Sequence, residues 1–88
     1  MQGTRNYEIG DTVRIRSWED MKEEFGIDSC GDIPCRCDFV REMFPLCGLE
    51  AKLIKITPLY GTISLQFLNA PSGINTGWNY SFDMIEPI

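Results

Sequence analysis

The residues of this chain whose types and spacing best suit chemistry are four cysteines, Cys30, Cys35, Cys37 and Cys47. Four thiolates can surround a zinc ion tetrahedrally, and such a site stabilises a small domain whose core is thin. The chain lacks the Cys-x-x-Cys pair that is typical of zinc knuckles, however. Free thiols and a disulfide are the alternatives, and a reducing compartment favours free thiols. We therefore expect no cofactor, with a structural zinc ion at these four residues as the alternative.

Catalysis finds little support among the other side chains. The chain has no histidine, which is the usual base that activates a cysteine or serine nucleophile. The glycine-containing segment 73–77 lacks the lysine and the following helix that a phosphate-binding loop requires. We predict that the protein is not an enzyme.

Three aromatic residues, Tyr60, Trp78 and Tyr80, are the candidate binding residues, because each lies near a loop or on a strand with one open face. Exposed rings can hold proline-rich segments or modified basic side chains. Large rings also fill cores. By that second argument, we expect four rings to lie mainly in the core: Trp18, Phe67, Trp78 and Phe82.

Charge is unevenly distributed along the chain, whose net charge is −5. Residues 19–50 contain nine acidic and three basic residues, a net of −6. Docking on phosphate backbones needs clustered lysine and arginine, so nucleic acid is a disfavoured partner. The acidic region is either a solvated helix face or a patch that meets a basic partner.

No apolar run has the length of a membrane span, and the first residues lack a signal peptide's apolar stretch, so we expect a cytoplasmic protein without membrane contact.

The elements that must position these side chains begin with a strand, in which Val13 and Ile15 alternate with polar residues. Ser17 can cap a following helix at about residues 18–25, and Gly26 can end it in a left-handed conformation. The apolar stripe of that helix is formed by Trp18, Met21 and Phe25.

Further along, Asp38 can cap a second short helix that precedes strands at 49–56 and 62–68. An aromatic strand at 78–82, a helical turn and a short last strand complete the chain. The pattern predicts a mainly β fold with one or two short helices. Its most economical closure is an SH3-like small β-barrel of about five strands, with a helical, cysteine-bearing insert after the first strand. We expect residues 1–88 to form a single domain of this kind.

Three segments carry a resemblance to a known group of proteins. They are Gly-Asp-x-Val-Arg-Ile-Arg near the start, Met-Phe-Pro-Leu-Cys-Gly before the second strand, and Trp-x-Tyr-x-x-Asp-Met-Ile-Glu-Pro at the end. In these the chain resembles small, largely uncharacterised SH3-like barrel proteins of phage and gut-bacterial genomes. The resemblance covers most of the chain and implies the fold. It implies little about activity, because the shared positions belong to the framework.

These observations predict a non-enzymatic module that recognises a protein partner through loops and aromatic rings. The first alternative is an acidic, phage-type inhibitor whose region 19–50 imitates nucleic acid and occupies a basic protein groove. The second is a small barrel that itself binds nucleic acid. A complex driven by charge weakens steeply as the ionic strength rises, which separates the first alternative from the leading prediction.

Overall fold

The structure, a computed structural model, describes residues 7–88. Along them, five strands alternate with one α-helix and two 3₁₀ helices. In chain order these are β1 (Thr12–Ile15), α1 (Trp18–Phe25), the first 3₁₀ helix (Arg41–Leu46), β2 (Glu50–Thr57), β3 (Thr62–Phe67), β4 (Tyr80–Ser81), the second 3₁₀ helix (Phe82–Met84) and β5 (Ile85–Pro87). The mainly β fold with short helices is therefore as the sequence predicts.

The five strands form one antiparallel sheet in the order β4-β3-β2-β1-β5. This sheet is open within the described residues, so the prediction of a closed barrel is wrong. The reason lies in β4, which has only two residues and pairs with β3 only at Thr62 and Ile63. The chain then turns directly into the second 3₁₀ helix, so the two edge strands do not complete a hydrogen-bonded ring.

Local signals specify α1, and the prediction of this helix is confirmed. The Ser17 hydroxyl accepts a hydrogen bond from the backbone N–H of Asp20 at 3.1 Å. At the other end, Gly26 has φ +80° and donates its N–H to the Lys22 carbonyl at 2.8 Å. Met21 is fully buried, whereas the rings at the two ends of the apolar stripe are half-buried against the core.

The second helix differs from the prediction, because Asp38 does not cap it. Asp38 has a positive φ of 56°, and the next residue, Phe39, forms a β-bridge with Ile33. The helix is a 3₁₀ helix that begins only at Arg41. The Oδ1 atom of Asp32 accepts the N–H of Arg41 at 2.9 Å, so the carboxylate at this helix start comes from the preceding loop.

A single core lies between the sheet and the segment that joins β1 to β2. Strand β2 contains a β-bulge, since Leu53 pairs with Leu65 but Lys55 pairs with Ser64. The extra residue, Ile54, is 47% exposed. The largest fully buried side chains are Val13, Ile15, Met21, Ile33, Phe39, Met43, Leu46, Leu53 and Met84.

Within residues 7–88, no helix has the length and apolar character needed to cross a membrane.

Candidate functional site

Two of the three candidate binding rings belong to the protein's own framework. Tyr80, expected at the surface, is only 2% exposed, and burial raises its pKa to about 12. Its hydroxyl donates a hydrogen bond to the Thr76 carbonyl at 2.7 Å, and its ring packs on Phe67 with centroids 5.7 Å apart. Trp78 is half-buried, and its Nε1–H donates to the Asn75 carbonyl at 3.0 Å. Both rings therefore fix the loop that leads into β4.

Tyr60 is the predicted binding ring that the structure leaves in solvent. It lies in the turn between β2 and β3 and is 68% exposed, while the preceding Leu59 is 80% exposed. The turn beneath them is closed by hydrogen bonds from the Gly61 N–H to the carbonyls of Thr57 and Pro58, at 3.0 and 3.2 Å. Two large apolar side chains are thus presented on a hydrogen-bonded turn.

Arg36, from the cysteine-containing loop, packs against this turn. A Cβ atom at Gly61 would collide with the Arg36 guanidinium, so glycine is what allows the close approach. The backbone N–H of Arg36 donates to the Asp83 carboxylate at 3.1 Å, which ties the loop to the second 3₁₀ helix. Among residues 7–88, the Arg36 guanidinium makes no ion pair.

Phe82 adds a further ring beside Asp83. Its ring stacks on Tyr7 with centroids 5.5 Å apart and planes at 7°. The prediction that Phe82 fills the core is wrong, because 36% of this residue is exposed. Phe82 also begins the second 3₁₀ helix instead of ending a strand. We name the exposed residues gathered here the Tyr60 corner: Arg36, Leu59, Tyr60 and Phe82.

The four cysteines are free thiols that differ in burial. Cys30 is exposed, Cys35 is buried, and Cys37 and Cys47 are half-buried. Burial raises the pKa of Cys35, with a smaller effect from the Asp83 charge, and burial raises the pKa of Cys47 to about 11. Within residues 7–88, no group of three or more histidine, cysteine or acidic residues is arranged to hold a metal ion.

The acidic region is partly occupied by internal contacts. Arg16 binds two carboxylates of α1, Asp20 at 2.8 Å and Glu24 at 2.6 Å. Its hydrogen bond to Asp20 lowers the pKa of that carboxyl. Two other acids of α1, Glu19 and Glu23, make no ion pair within the described part of the chain. The free negative charge of the helix is therefore smaller than its composition indicates.

Comparisons with protein-family models, with curated proteins and with solved structures found no match for this chain. The candidate site thus rests on its own geometry. Sequence reasoning identified Tyr60 but missed its neighbours Arg36 and Leu59. The turn Pro58-Leu59-Tyr60-Gly61 contained the signal for Leu59, since a leucine in a tight turn has little to pack against. Nothing local in the sequence indicates that Arg36 reaches Gly61.

Proposed function

We propose that this protein is a non-enzymatic, SH3-like module that binds a protein partner through the Tyr60 corner. The antiparallel order β4-β3-β2-β1-β5, with a 3₁₀ turn joining β4 to β5, supports the SH3-like interpretation. The observation that carries the binding proposal is the pair of solvent-exposed side chains, Leu59 and Tyr60, on a turn braced by hydrogen bonds. Surface apolar residues in such a cluster mark interaction sites more often than isolated ones do.

The chemistry of the corner defines the partner segment. Tyrosine and arginine dominate the energetics of protein interfaces, because each combines a large contact area with a polar end. The Asp83 carboxylate bonds the backbone of Arg36, and the Arg36 guanidinium makes no ion pair among the described residues. The complementary segment therefore offers apolar side chains to Leu59 and Tyr60 and a carboxylate to Arg36.

The cysteine environments support the non-enzymatic part of this proposal. The raised pKa values of Cys35 and Cys47 favour the neutral thiol, which is a poor nucleophile. A reducing compartment, for which we propose the cytoplasm, is the setting in which four free thiols persist.

Affinity capture from a host lysate with matched variants tests the proposal. The wild type is compared with Tyr60→Ser and Leu59→Ser, and with the control Ile27→Ser, which removes an exposed apolar side chain just after α1. We expect a partner that is retained by the wild type and the control and lost with both corner variants. A partner held equally by all four proteins would refute the role of the corner.

The alternative of nucleic-acid imitation draws on the acidic region 19–50, in which Glu19 and Glu23 are the α1 carboxylates without ion pairs in residues 7–88. If charge drives the complex, Glu19→Gln with Glu23→Gln should release the partner, and high salt should do the same. A partner retained at high salt by the wild type would count against charge imitation. Direct nucleic-acid binding, the other alternative, predicts a mobility shift with RNA or DNA at low salt.

A further inference from the structure

Along the outer edge of β3, only the first two of its six residues pair with a neighbouring strand. Strand β3 runs from Thr62 to Phe67, but β4 pairs only with Thr62 and Ile63. Beyond that point the chain forms the long loop that returns to β4, and this loop makes no backbone hydrogen bond to β3 within the described residues. The outer edge of β3 therefore has no backbone hydrogen-bond partner at Leu65 and Phe67 within residues 7–88, and in this sense it is open.

The hydrogen bonds of β2 show which way the backbone of β3 points. Leu53 donates its N–H to the Asp11 carbonyl at 2.9 Å and accepts from the Gly10 N–H at 2.7 Å, so both its polar groups face β1. Its cross-strand partner Leu65 consequently directs its own N–H and C=O away from β2. Phe67 shares this direction because it lies two residues further along the same strand. Neither N–H has a hydrogen-bond partner within residues 7–88.

The opposite edge of the sheet is closed to another strand. On β5, the N–H of Ile85 donates to the Phe82 carbonyl as the second 3₁₀ helix ends. Two residues later, Pro87 has no N–H to offer. Proteins use such devices to prevent strand addition at an edge. At Leu65 and Phe67 the β3 edge has neither device, because both residues keep an N–H that no backbone group of residues 7–88 accepts. The two edges are therefore chemically different.

Two lysines lie on the solvent face of β2, one strand in from the open edge. Lys52 pairs with Gln66 and Lys55 with Ser64, so both side chains share the face opposite to the core. Both lysines are exposed, and neither makes an ion pair within the described part of the chain. On the same sheet, Arg14 is paired with Glu86 at 3.0 Å. The basic charge next to the open edge is thus unneutralised.

We propose that an extended segment of a partner protein, in which acidic and apolar residues alternate, adds to the sheet as a strand on the outer edge of β3. Its backbone pairs with the N–H and C=O groups of Leu65 and Phe67. Its acidic side chains lie on the face of Lys52 and Lys55. Its apolar side chains lie on the opposite face, beside the half-buried Leu65 and the Phe67 ring, which also contacts Tyr80. Backbone pairing supplies affinity in this mode, and alternating side chains supply specificity.

Charge argues against a second copy of the chain as the occupant. Joining two β3 edges would place the unpaired Lys52 and Lys55 of both copies on one continuous face. The residues of the second β3 on that face, such as Ser64 and Gln66, offer no carboxylate to neutralise them. The chain's first six residues do not have the composition either, because they contain Arg5 and no acidic residue.

Amide hydrogen exchange measured by NMR on the full chain tests the open edge first. In the free protein, the amides of Leu65 and Phe67 should exchange fast, and the amide of Gln66, which faces β2, should exchange slowly. Slow exchange at Leu65 and Phe67 that depends on protein concentration would show that a second copy occupies the edge. That result would overturn the proposal.

The probe is a capped synthetic peptide of alternating Glu and Val, about eight residues long, which is an ordinary strand length. At a concentration about ten times its Kd, the peptide should slow exchange at Leu65 and Phe67 about tenfold, because only the free fraction exchanges. The same peptide with two adjacent N-methylated residues cannot pair along either edge and should have no effect. Equal binding of the two peptides, or unchanged exchange at the two amides, would overturn the proposal.

A matched pair of variants tests the role of the lysines. Lys52→Glu should raise the Kd of the Glu-Val peptide about threefold to fivefold and improve binding of a Lys-Val peptide. Lys22→Glu changes the net charge equally but lies on α1, so the Kd should stay near that of the wild type. Equal effects of both variants would refute charge recognition at the edge. Tyr60→Ser should leave peptide binding intact, which keeps this test separate from that of the Tyr60 corner.

Discussion

Replacing Arg16 by methionine should destabilise the protein far more than the same change at Arg14, although Arg14 lies in β1 and Arg16 directly follows that strand. Arg16 connects three elements. It binds Asp20 and Glu24 of α1, its Nη1–H donates to the Asp83 carbonyl at 2.9 Å, and its guanidinium lies 5.7 Å from the centre of the Phe25 ring. Only 14% of its side chain is exposed.

The magnitude follows from these contacts. The two carboxylates are 47% and 56% exposed, so each ion pair contributes about 0.5 kcal/mol. The hydrogen bond to the Asp83 carbonyl contributes about 1 kcal/mol, and the contact with the Phe25 ring about 0.5 kcal/mol. Methionine keeps most of the apolar stem. The expected loss is therefore about 2–3 kcal/mol, against about 0.5 kcal/mol for the half-exposed ion pair of Arg14 with Glu86.

Urea unfolding followed by tryptophan fluorescence measures both variants, since the chain has two tryptophans, Trp18 and Trp78. In a domain of this size, a loss of 2–3 kcal/mol corresponds to a fall in Tm of roughly 10–20 °C. If Arg16→Met and Arg14→Met shift the midpoint equally, the reasoning is refuted, because Arg16 then does not join α1 to the sheet.

Four further predictions concern single groups. Because the pKa of Asp20 is lowered in the folded state, its contribution is present above the unfolded value of about 3.9 and is lost as the pH falls through the folded pKa; between about pH 6 and pH 3, the wild type should lose more free energy of unfolding than Asp20→Asn. Ser81→Ala should be neutral or stabilising, because the buried Ser81 hydroxyl has no hydrogen-bond partner among the described residues; a loss above about 1 kcal/mol would reveal a partner. Gly61→Ala should cost about 1–2 kcal/mol, since φ is +70° and the new Cβ meets Arg36; adding Arg36→Ala should restore only the part that comes from the collision. Elemental analysis of protein purified without added metal should find less than about a tenth of an equivalent of zinc, with four titratable thiols, whereas one equivalent would show a tetrahedral site.

The fold shows which interactions can be read from sequence. The helix α1 was predictable with its bounds, because Ser17, the apolar stripe and Gly26 act within a few residues of one another. The alternation in β3 was equally local. By contrast, the carboxylate that accepts the first N–H of the first 3₁₀ helix belongs to Asp32 and not to Asp38. That contact was not predictable, because it spans the loop that contains the bridge between Ile33 and Phe39.

For the candidate site, the sequence alone determined which side chains exist and which turn carries Tyr60. It determined the absence of histidine and the spacing of the cysteines. Only the tertiary structure decided that Tyr80 is buried, that Arg36 reaches Gly61, and that β4 stops after two residues and leaves the β3 edge open. The physical reason is the separation along the chain of the residues that interact. Caps and alternation depend on near neighbours in the sequence, whereas burial and strand pairing depend on segments that come together only when the whole chain packs.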